Sequence, residues 1–401
     1  MKLPASMIAP DVKKLFQLLG RDNLRFVGGC VRNMLMGIPI GDIDLATTLP
    51  PDAVIKKLSA AKIKVVPTGI DHGTVTAVLN GVGYEITTLR RDVETDGRRA
   101  VVAYTTDWAE DAARRDFTIN ALYANLDGKI YDPLGAGLRD IERFKVVFVG
   151  DAESRIQEDY LRILRFFRFH SLYGKGVPDK KGLAACAKFA PKISTLSRER
   201  VTQEFTKILM GSSPKKILSI MQGNEILPEI LGKSFNPDRI GSLIKIQSVT
   251  SDVNPDVIFC ARLICVLGFQ FKNLEKLSNI LIFNKKQISI LSDFSKIKLD
   301  TKRIEIMNLS KNLYQFPRVS VDVAVMVAAV RDNLTPSQFR KIWEILGALS
   351  VPQFPISGKD LMALGMPHGP QIGLELSRLE KIWIKSEFTL RRKDLLGQVK
   401  V

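Results

Sequence analysis

Two acids separated by one residue, Asp42 and Asp44, and the glycine pair Gly28-Gly29 that precedes them are the residues of this 401-residue chain best suited to chemistry. In Asp42-Ile43-Asp44-Leu45 the alternation predicts a β-strand that carries both carboxylates on one face and turns Ile43 and Leu45 into the core. Two hard oxygen ligands side by side suit Mg²⁺, which binds through a few carboxylates and completes its octahedron with water and substrate phosphates. The glycines follow the apolar stretch Leu24-Arg25-Phe26-Val27, and without a Cβ they let backbone N–H groups approach a triphosphate. Arg32 opens a helix just beyond. Taken singly, Gly-Gly is an ordinary turn and Asp-x-Asp a solvated strand end. At this spacing the two together predict a phosphate cradle feeding a two-carboxylate metal site.

Other groups of the same kind follow. Glu85, in a strand expected over residues 84–89, is either a third metal carboxylate or an exposed strand glutamate. In Asp111-Ala112-Ala113-Arg114-Arg115-Asp116-Phe117-Thr118-Ile119-Asn120-Ala121, the residues Arg114, Arg115, Asp116 and Asn120 fall within helical reach of one another. The arginines suit phosphates, and Asp116 and Asn120 suit ribose hydroxyls; the alternative is a surface ion-pair cluster. The charged run 90–99, with Gly97 and Arg98 near its end, reads as a mobile loop or a solvated hairpin.

Positioning these groups takes a mixed scaffold. Val12, Leu15, Phe16, Leu18 and Leu19 predict a helix ending at Gly20, followed by a strand at residues 24–27. A helix over 50–58 separates the acids from a strand at 63–66, and Asn80-Gly81-Val82-Gly83 turns a hairpin between strands 74–79 and 84–89. Past the loop Tyr131-Asp132-Pro133-Leu134-Gly135 the pattern becomes helical, with one amphipathic helix expected over 158–169. Asp159 and Arg162 are then neighbours on one helix face. An acceptor beside a fork of donors matches the Watson–Crick edge of cytosine and adenine and mismatches guanine and uracil; the ordinary fate of such a pair is a surface salt bridge. From about Ser212 onward the chain is helical with scattered bases such as Lys272, Lys285, Lys286, Lys296, Lys298, Lys302 and Arg303. A helix-turn-helix connection is expected across Ile356-Ser357-Gly358-Lys359-Asp360-Leu361 and Gly365-Met366-Pro367-His368-Gly369-Pro370.

A formal charge of +17 argues for a polyanionic partner, nucleic acid before an acidic membrane. No apolar run is long enough to span a bilayer, and neither a signal peptide nor a lipidation motif is visible, so a cytoplasmic protein with no membrane partner is expected. Cys30, Cys186, Cys260 and Cys265 form no C-x-x-C pair and read as small buried hydrophobes, and three histidines are too few and scattered for a His-rich metal hydrolase.

Gly28-Gly29-Cys30-Val31-Arg32-Asn33, Asp42-Ile43-Asp44, Arg114-Arg115-Asp116-Phe117-Thr118-Ile119-Asn120-Ala121 and Glu158-Asp159-Tyr160-Leu161-Arg162-Ile163-Leu164-Arg165, in this order and spacing over roughly the first half of the chain, resemble the class II tRNA nucleotidyltransferase and bacterial poly(A) polymerase family of the polymerase β superfamily. The resemblance implies an α+β fold: a nucleotidyltransferase head with a mixed β-sheet (1–137), then an all-α neck (138–212), body (213–295) and tail (296–401) that grips tRNA. Mg²⁺ is expected on Asp42 and Asp44, and Glu85 joins them as a catalytic candidate on its strand position alone. The resemblance also implies nucleotide binding by Gly28, Gly29, Arg32, Arg114, Asp116 and Asn120. Base choice falls to Asp159 and Arg162, stacking or phosphate contact to Arg165, and bracing of the template helix to Arg198, Glu199, Arg200 and Glu204. The implied activity is template-independent addition of CCA to tRNA 3′ ends from CTP and ATP, with release of pyrophosphate by a two-metal mechanism. Its rivals are poly(A) polymerase, a partial CC- or A-adding enzyme, and a non-catalytic RNA-binding protein. The charged segment at 90–99 favours full CCA addition, because CC-only relatives lack such a head loop.

Overall fold

The computed structural model describes residues 2–96, 99–232, 236–269, 274–299, 301 and 306–399. The chain divides into two compact units, Met1–Ser234 and Phe235–Val401.

In the first unit, helix α1 (Pro10–Leu19) ends at Gly20, whose φ of 95° only glycine adopts readily. Strand β1 (Leu24–Val27) leads into α2 (Gly29–Leu35), β2 (Asp44–Thr47), α3 (Pro51–Ala60), β3 (Lys64–Gly69), β4 (Thr74–Leu79) and β5 (Val82–Thr88). Asn80 and Gly81, both with positive φ, make the two-residue turn between β4 and β5, so the second strand starts two residues earlier than its sequence pattern suggests. After β6 (Arg90–Asp96) and β7 (Arg99–Tyr104) come α4 (Trp108–Ala113), β8 (Tyr123–Ala124) and β9 (Ile130–Tyr131). Seven strands form one sheet in the order β3-β4-β5-β2-β1-β8-β9, with β2 and β5 parallel and the other neighbours antiparallel.

Alternation sorts the two faces. Leu24, Phe26, Leu45, Val75, Ala77 and Ile86 are buried on the face covered by α1 and α3, with Phe16 and Phe26 ring centroids 5.0 Å apart. On the other face Val27, Ala46, Leu89 and Tyr123 pack with Ala112, Ala121 and Val149. Arg25 emerges there between the rings of Trp108 and Tyr131, 4.0 and 3.8 Å from their centroids. Asp44, Glu85, Thr87 and Thr74 occupy the rest of this face.

Three expectations change. Asp42 sits in a bend before β2, not within the strand, so only Asp44 is held by sheet hydrogen bonding. Of the two readings of the run 90–99 the hairpin holds and the mobile loop does not: β6 and β7 pair from Arg90↔Tyr104 to Asp96↔Arg99, with a register shift between Asp92 and Glu94, and Gly97 and Arg98 lie outside the described residues. The β-branched residues Val93, Thr95, Val101 and Val102 supply strand preference that the surrounding charge masks in composition. The stretch 158–169 is two helices: α5 (Gly137–Glu142) is followed by α6 (Ala152–Glu158), a break at Asp159-Tyr160, and α7 (Leu161–Tyr173). After α8 (Lys180–Phe189), α9 (Arg198–Leu209) packs on α7.

The second unit is helical among its described residues. Pro255–Leu267 and Arg318–Arg331, apolar almost all round, are buried against each other. The expected helix-turn-helix connection appears as Gly358–Ala363 and Pro370–Lys385, joined through Gly365 at φ 93°, over a cluster of Ile356, Leu361, Met366, Leu379, Trp383 and Leu395. Lys285, Lys286, Lys296 and Lys298 are exposed; Lys272, Lys302 and Arg303 lie outside the described residues. All four cysteines are free and buried.

The first unit has little slack where α5 meets the turn Thr118–Asn120. A Cβ on Gly137 would lie 2.6 Å from the Thr118 carbonyl oxygen. Gly137→Ala is therefore expected to cost roughly 1–3 kcal/mol in urea denaturation, whereas a loss below about 0.5 kcal/mol means the junction relaxes freely.

Candidate active site

A cleft of about 490 Å³ opens on the face of the sheet that carries Asp44. Its floor is Val27, Asp44, Glu85, Thr87 and Thr74; Gly28, Gly29, Arg32, Arg114, Arg115, Asp116, Asn120, Arg165 and Phe169 wall one side, and His72 and Arg90 also line it. Asp42, Asp159 and Arg162 do not line the cleft.

The parallel register places Glu85 directly opposite Asp44. Burial, and then the negative charges of Glu85 and Asp42, push the Asp44 carboxyl up to about 6, against the opposing pull of Arg115 and Arg32. Crowded acids of this kind call for a cation. Among the described residues no group of three or more acids, histidines or cysteines is arranged to hold an ion alone. The carboxylates therefore fit an ion that draws its remaining ligands from water and substrate oxygens.

At the cradle, Gly28 turns at φ 66°, and its N–H is already donated to the Leu122 carbonyl at 3.1 Å. The donors left for a phosphate begin with the first turn of α2, which starts at Gly29 rather than Arg32 and has no side-chain cap. Arg32, 6% exposed, donates to neutral acceptors: Asn120 Oδ1 at 2.5 Å, the Tyr173 hydroxyl at 2.7 Å and Asn33 Oδ1 at 2.9 Å. A buried guanidinium held only by neutral oxygens keeps its full charge for an anion.

The second cationic group depends on Asp111, 1% exposed. Arg114 reaches Asp111 Oδ1 at 2.7 Å and Arg115 reaches Oδ2 at 2.9 Å, while the Tyr123 hydroxyl donates to Oδ2 at 2.7 Å. Burial opposes the charge, yet Arg115, Arg114 and Tyr123 hold this carboxyl down at about 2. Asp116 and Asn120 are joined to each other at 2.9 Å, and Asp116 Oδ2 accepts two bonds from Arg165, at 2.9 and 2.6 Å. Burial likewise works against Asp116, but Arg165 and Asn120 keep it below the usual carboxylate range. The segment is not one helix as expected: α4 stops at Ala113, and a single 3-10 turn, Thr118–Asn120, carries Asn120 back towards Asp116.

Asp159 and Arg162 are each engaged elsewhere. Asp159 caps the end of α6; its Oδ2 accepts from Arg200 on α9 at 2.7 Å and its Oδ1 from the Leu161 N–H at 3.1 Å. Arg162 donates to Glu158 at 2.5 Å and to the Arg155 carbonyl at 2.8 Å. The break at Asp159-Tyr160 takes Asp159 off the helix face that the sequence assigns it. Arg200 and Glu204 brace this region, Glu204 accepting from Arg168 at 2.6 Å; Ser197 makes no side-chain cap.

Asp111, Tyr123, Phe169, His72, Thr74, Thr87 and Arg90 belong to the cleft or its support without having been singled out. Asp111 was legible, since i,i+3 and i,i+4 spacing to Arg114 and Arg115 is in the sequence. The threonines become visible only once the hairpin register is known.

Residues 24–147 match the poly A polymerase head domain, and residues 178–236 match a probable RNA- and SrmB-binding site of polymerase A. Mitochondrial CCA tRNA nucleotidyltransferase 1 of Homo sapiens is 34% identical over 98% of this chain and 91% of its own length, and the Mus musculus protein is likewise 34% identical over the same shares. The crystal structure of the Bacillus stearothermophilus CCA-adding enzyme in complex with CTP superposes with a TM-score of 0.74 at 25% identity, covering 96% of this chain and 94% of that one.

Two outcomes follow from the charge arrangement. Asp111→Ala strands two arginines and is expected to cost roughly 3–5 kcal/mol in denaturant unfolding; a change under about 1 kcal/mol removes Asp111 from this role. Because the Asp44 carboxyl is raised on folding, the folded chain holds a proton that the unfolded chain has lost, so metal-free stability declines as pH rises from about 4 to about 6. Asp44→Asn should abolish that decline and stabilise the metal-free protein at pH 7 by on the order of 1–2 kcal/mol after solvent screening. Thermal melts in EDTA between pH 4 and 7 check this, and a less stable variant at pH 7 contradicts it.

Proposed function

The chain belongs to the family of CCA-adding tRNA nucleotidyltransferases with a poly A polymerase head domain, and from that premise we propose that it adds C, C and A to tRNA 3′ ends from CTP and ATP, releasing pyrophosphate. The observation that carries the chemistry is the cleft itself, where the Asp44 and Glu85 carboxylates face the guanidinium groups of Arg32, Arg115 and Arg165. Negative charge on one strand pair and positive charge on the adjoining wall suit a metal-bound nucleoside triphosphate.

In this reading the triphosphate lies against the first turn of α2 and Arg32, with Arg114 and Arg115 beside it. The acceptor 3′-oxygen attacks the α-phosphorus, a new O–P bond forms, and the bond from the α-phosphorus to the bridging oxygen breaks as pyrophosphate departs. No side-chain nucleophile takes part. Asp44, Asp42 and Glu85 would hold Mg²⁺, which when bound lowers the pKa of the attacking hydroxyl and offsets charge on the leaving group. The chain contributes orientation and fixed positive charge. Asp116, Asn120 and Arg165 meet the ribose side through the network that joins them.

Base choice is assigned to Asp159 and Arg162, which present an acceptor and donors once they exchange Arg200 and Glu158 for a base. We divide the chain into head 1–137, neck 138–212, body 213–295 and tail 296–401, with tRNA drawn to a chain whose formal net charge is +17. We also place it in the cytoplasm. Four buried reduced thiols accord with a reducing compartment, and no helix among the described residues is long and apolar enough to cross a membrane.

The test supplies Mg²⁺ and a tRNA lacking its last three nucleotides, with CTP and ATP separately and together, and sizes the products. Three added residues only with both nucleotides is the expected result. A long ladder with ATP alone means poly(A) polymerase, one or two residues a partial enzyme, and no extension a binding protein. Asp159→Ala is expected to narrow the preference for CTP over UTP at least about tenfold; an unchanged preference moves base choice elsewhere.

A further inference from the structure

The reaction needs its two substrates on opposite sides of the α-phosphorus, and the strand order assigns the sides. In-line displacement sets the attacking oxygen opposite the departing pyrophosphate. Across the sheet, Asp44 on β2 has β1, with Gly28-Gly29, on one flank and β5 then β4 on the other. The triphosphate takes the β1 flank, where Arg32 and the start of α2 lie. The acceptor end must then approach over β5 and β4.

Two hydroxyls on that flank line the cleft. Thr87 is two residues beyond Glu85 on β5, hence on the same face and about 7 Å along the strand. Thr74 lies directly opposite it on β4, and the two Oγ1 atoms are 2.9 Å apart. Both line the cleft. One hydroxyl donates to the other, so the pair retains one O–H donor and spare acceptor lone pairs. A ribose 2′-hydroxyl, adjacent to the attacking 3′-hydroxyl, both donates and accepts, and it is the group that distinguishes RNA from DNA. A second cross-strand pair, Thr68 and Thr76 at 2.7 Å, lies on the same face but outside the cleft lining, whereas both members of the Thr74–Thr87 pair line it.

We propose that Thr74 and Thr87 hold the terminal ribose of the acceptor through its 2′-hydroxyl, positioning the 3′-oxygen and selecting RNA ends. The assignment rests on the nucleotidyltransferase reading above.

The experiment compares acceptors ending in a ribonucleotide or its 2′-deoxy counterpart, extended with CTP by the full-length wild type, Thr74→Val/Thr87→Val and Thr87→Ser. The wild type is expected to prefer the ribo end by about tenfold or more in kcat/KM. The double variant should bring that preference close to one and raise KM for the ribo acceptor about tenfold, with KM for CTP unchanged; Thr87→Ser should keep the preference. A wild type indifferent to the 2′-hydroxyl overturns the inference whatever the variants do. So does a double variant that retains the preference or raises only the KM for CTP. A wild type that extends neither acceptor overturns the nucleotidyltransferase reading itself.

Discussion

A parallel strand register forces Asp44 and Glu85 to stand side by side, and the rest of the head is arranged around the repulsion this creates. In an antiparallel hairpin the two acids could be moved apart by a change of turn. Here β5 reaches its place beside β2 only through the β3 and β4 excursion, and the apolar face beneath, with Leu45 and Ile86 fully buried, fixes the pairing. Folding energy from one face of the sheet thus holds an unfavourable charge pair on the other. Relief has to come from a cation or a proton, and the raised carboxyl of Asp44 is the proton-bound answer of the isolated chain.

The opposing positive charge is held by different means on the two parts of the wall. Arg114 and Arg115 share one carboxylate, Asp111, which offsets only one of their two charges. Arg32 has only amide and phenol oxygens, so its charge is directed but not cancelled. Asp111 and Asp116 keep their negative charge because they are enclosed by donors, whereas Asp44 lies next to acids. One residue type is therefore a fixed anion in two places and a raised, proton-binding carboxyl in a third, according to its neighbours alone.

Much of the head was legible because local rules and global packing agree there. The Gly20 stop, the Leu24–Val27 strand and the Asn80-Gly81 turn each follow from backbone preference with no knowledge of the fold. Legibility failed where a long-range partner decides the outcome. Asp159 looks like a helix residue until Arg200, 41 positions away, draws its side chain out at the break between α6 and α7. The charged run 90–99 fits loop and hairpin alike until its pairing with residues up to Tyr104 is seen. Thr74 and Thr87 carry no signal as residue types; their meaning arises from cross-strand register beside Glu85.

With base choice proposed for Asp159 and Arg162, the two halves of nucleotide recognition differ in their starting state. The phosphate side needs no rearrangement to present charge, because Arg32 lines the cleft with its full cation. On the base side as proposed, both charged groups are paired within the chain, Asp159 with Arg200 and Arg162 with Glu158. Exchanging one charged partner for a base costs little when the base supplies matching groups and much when it does not, since a mismatched edge leaves a part-buried charge without its partner. Under the proposed assignment the internal ion pairs are the competitor that a correct base must replace, and discrimination lies in the difference between those two exchanges.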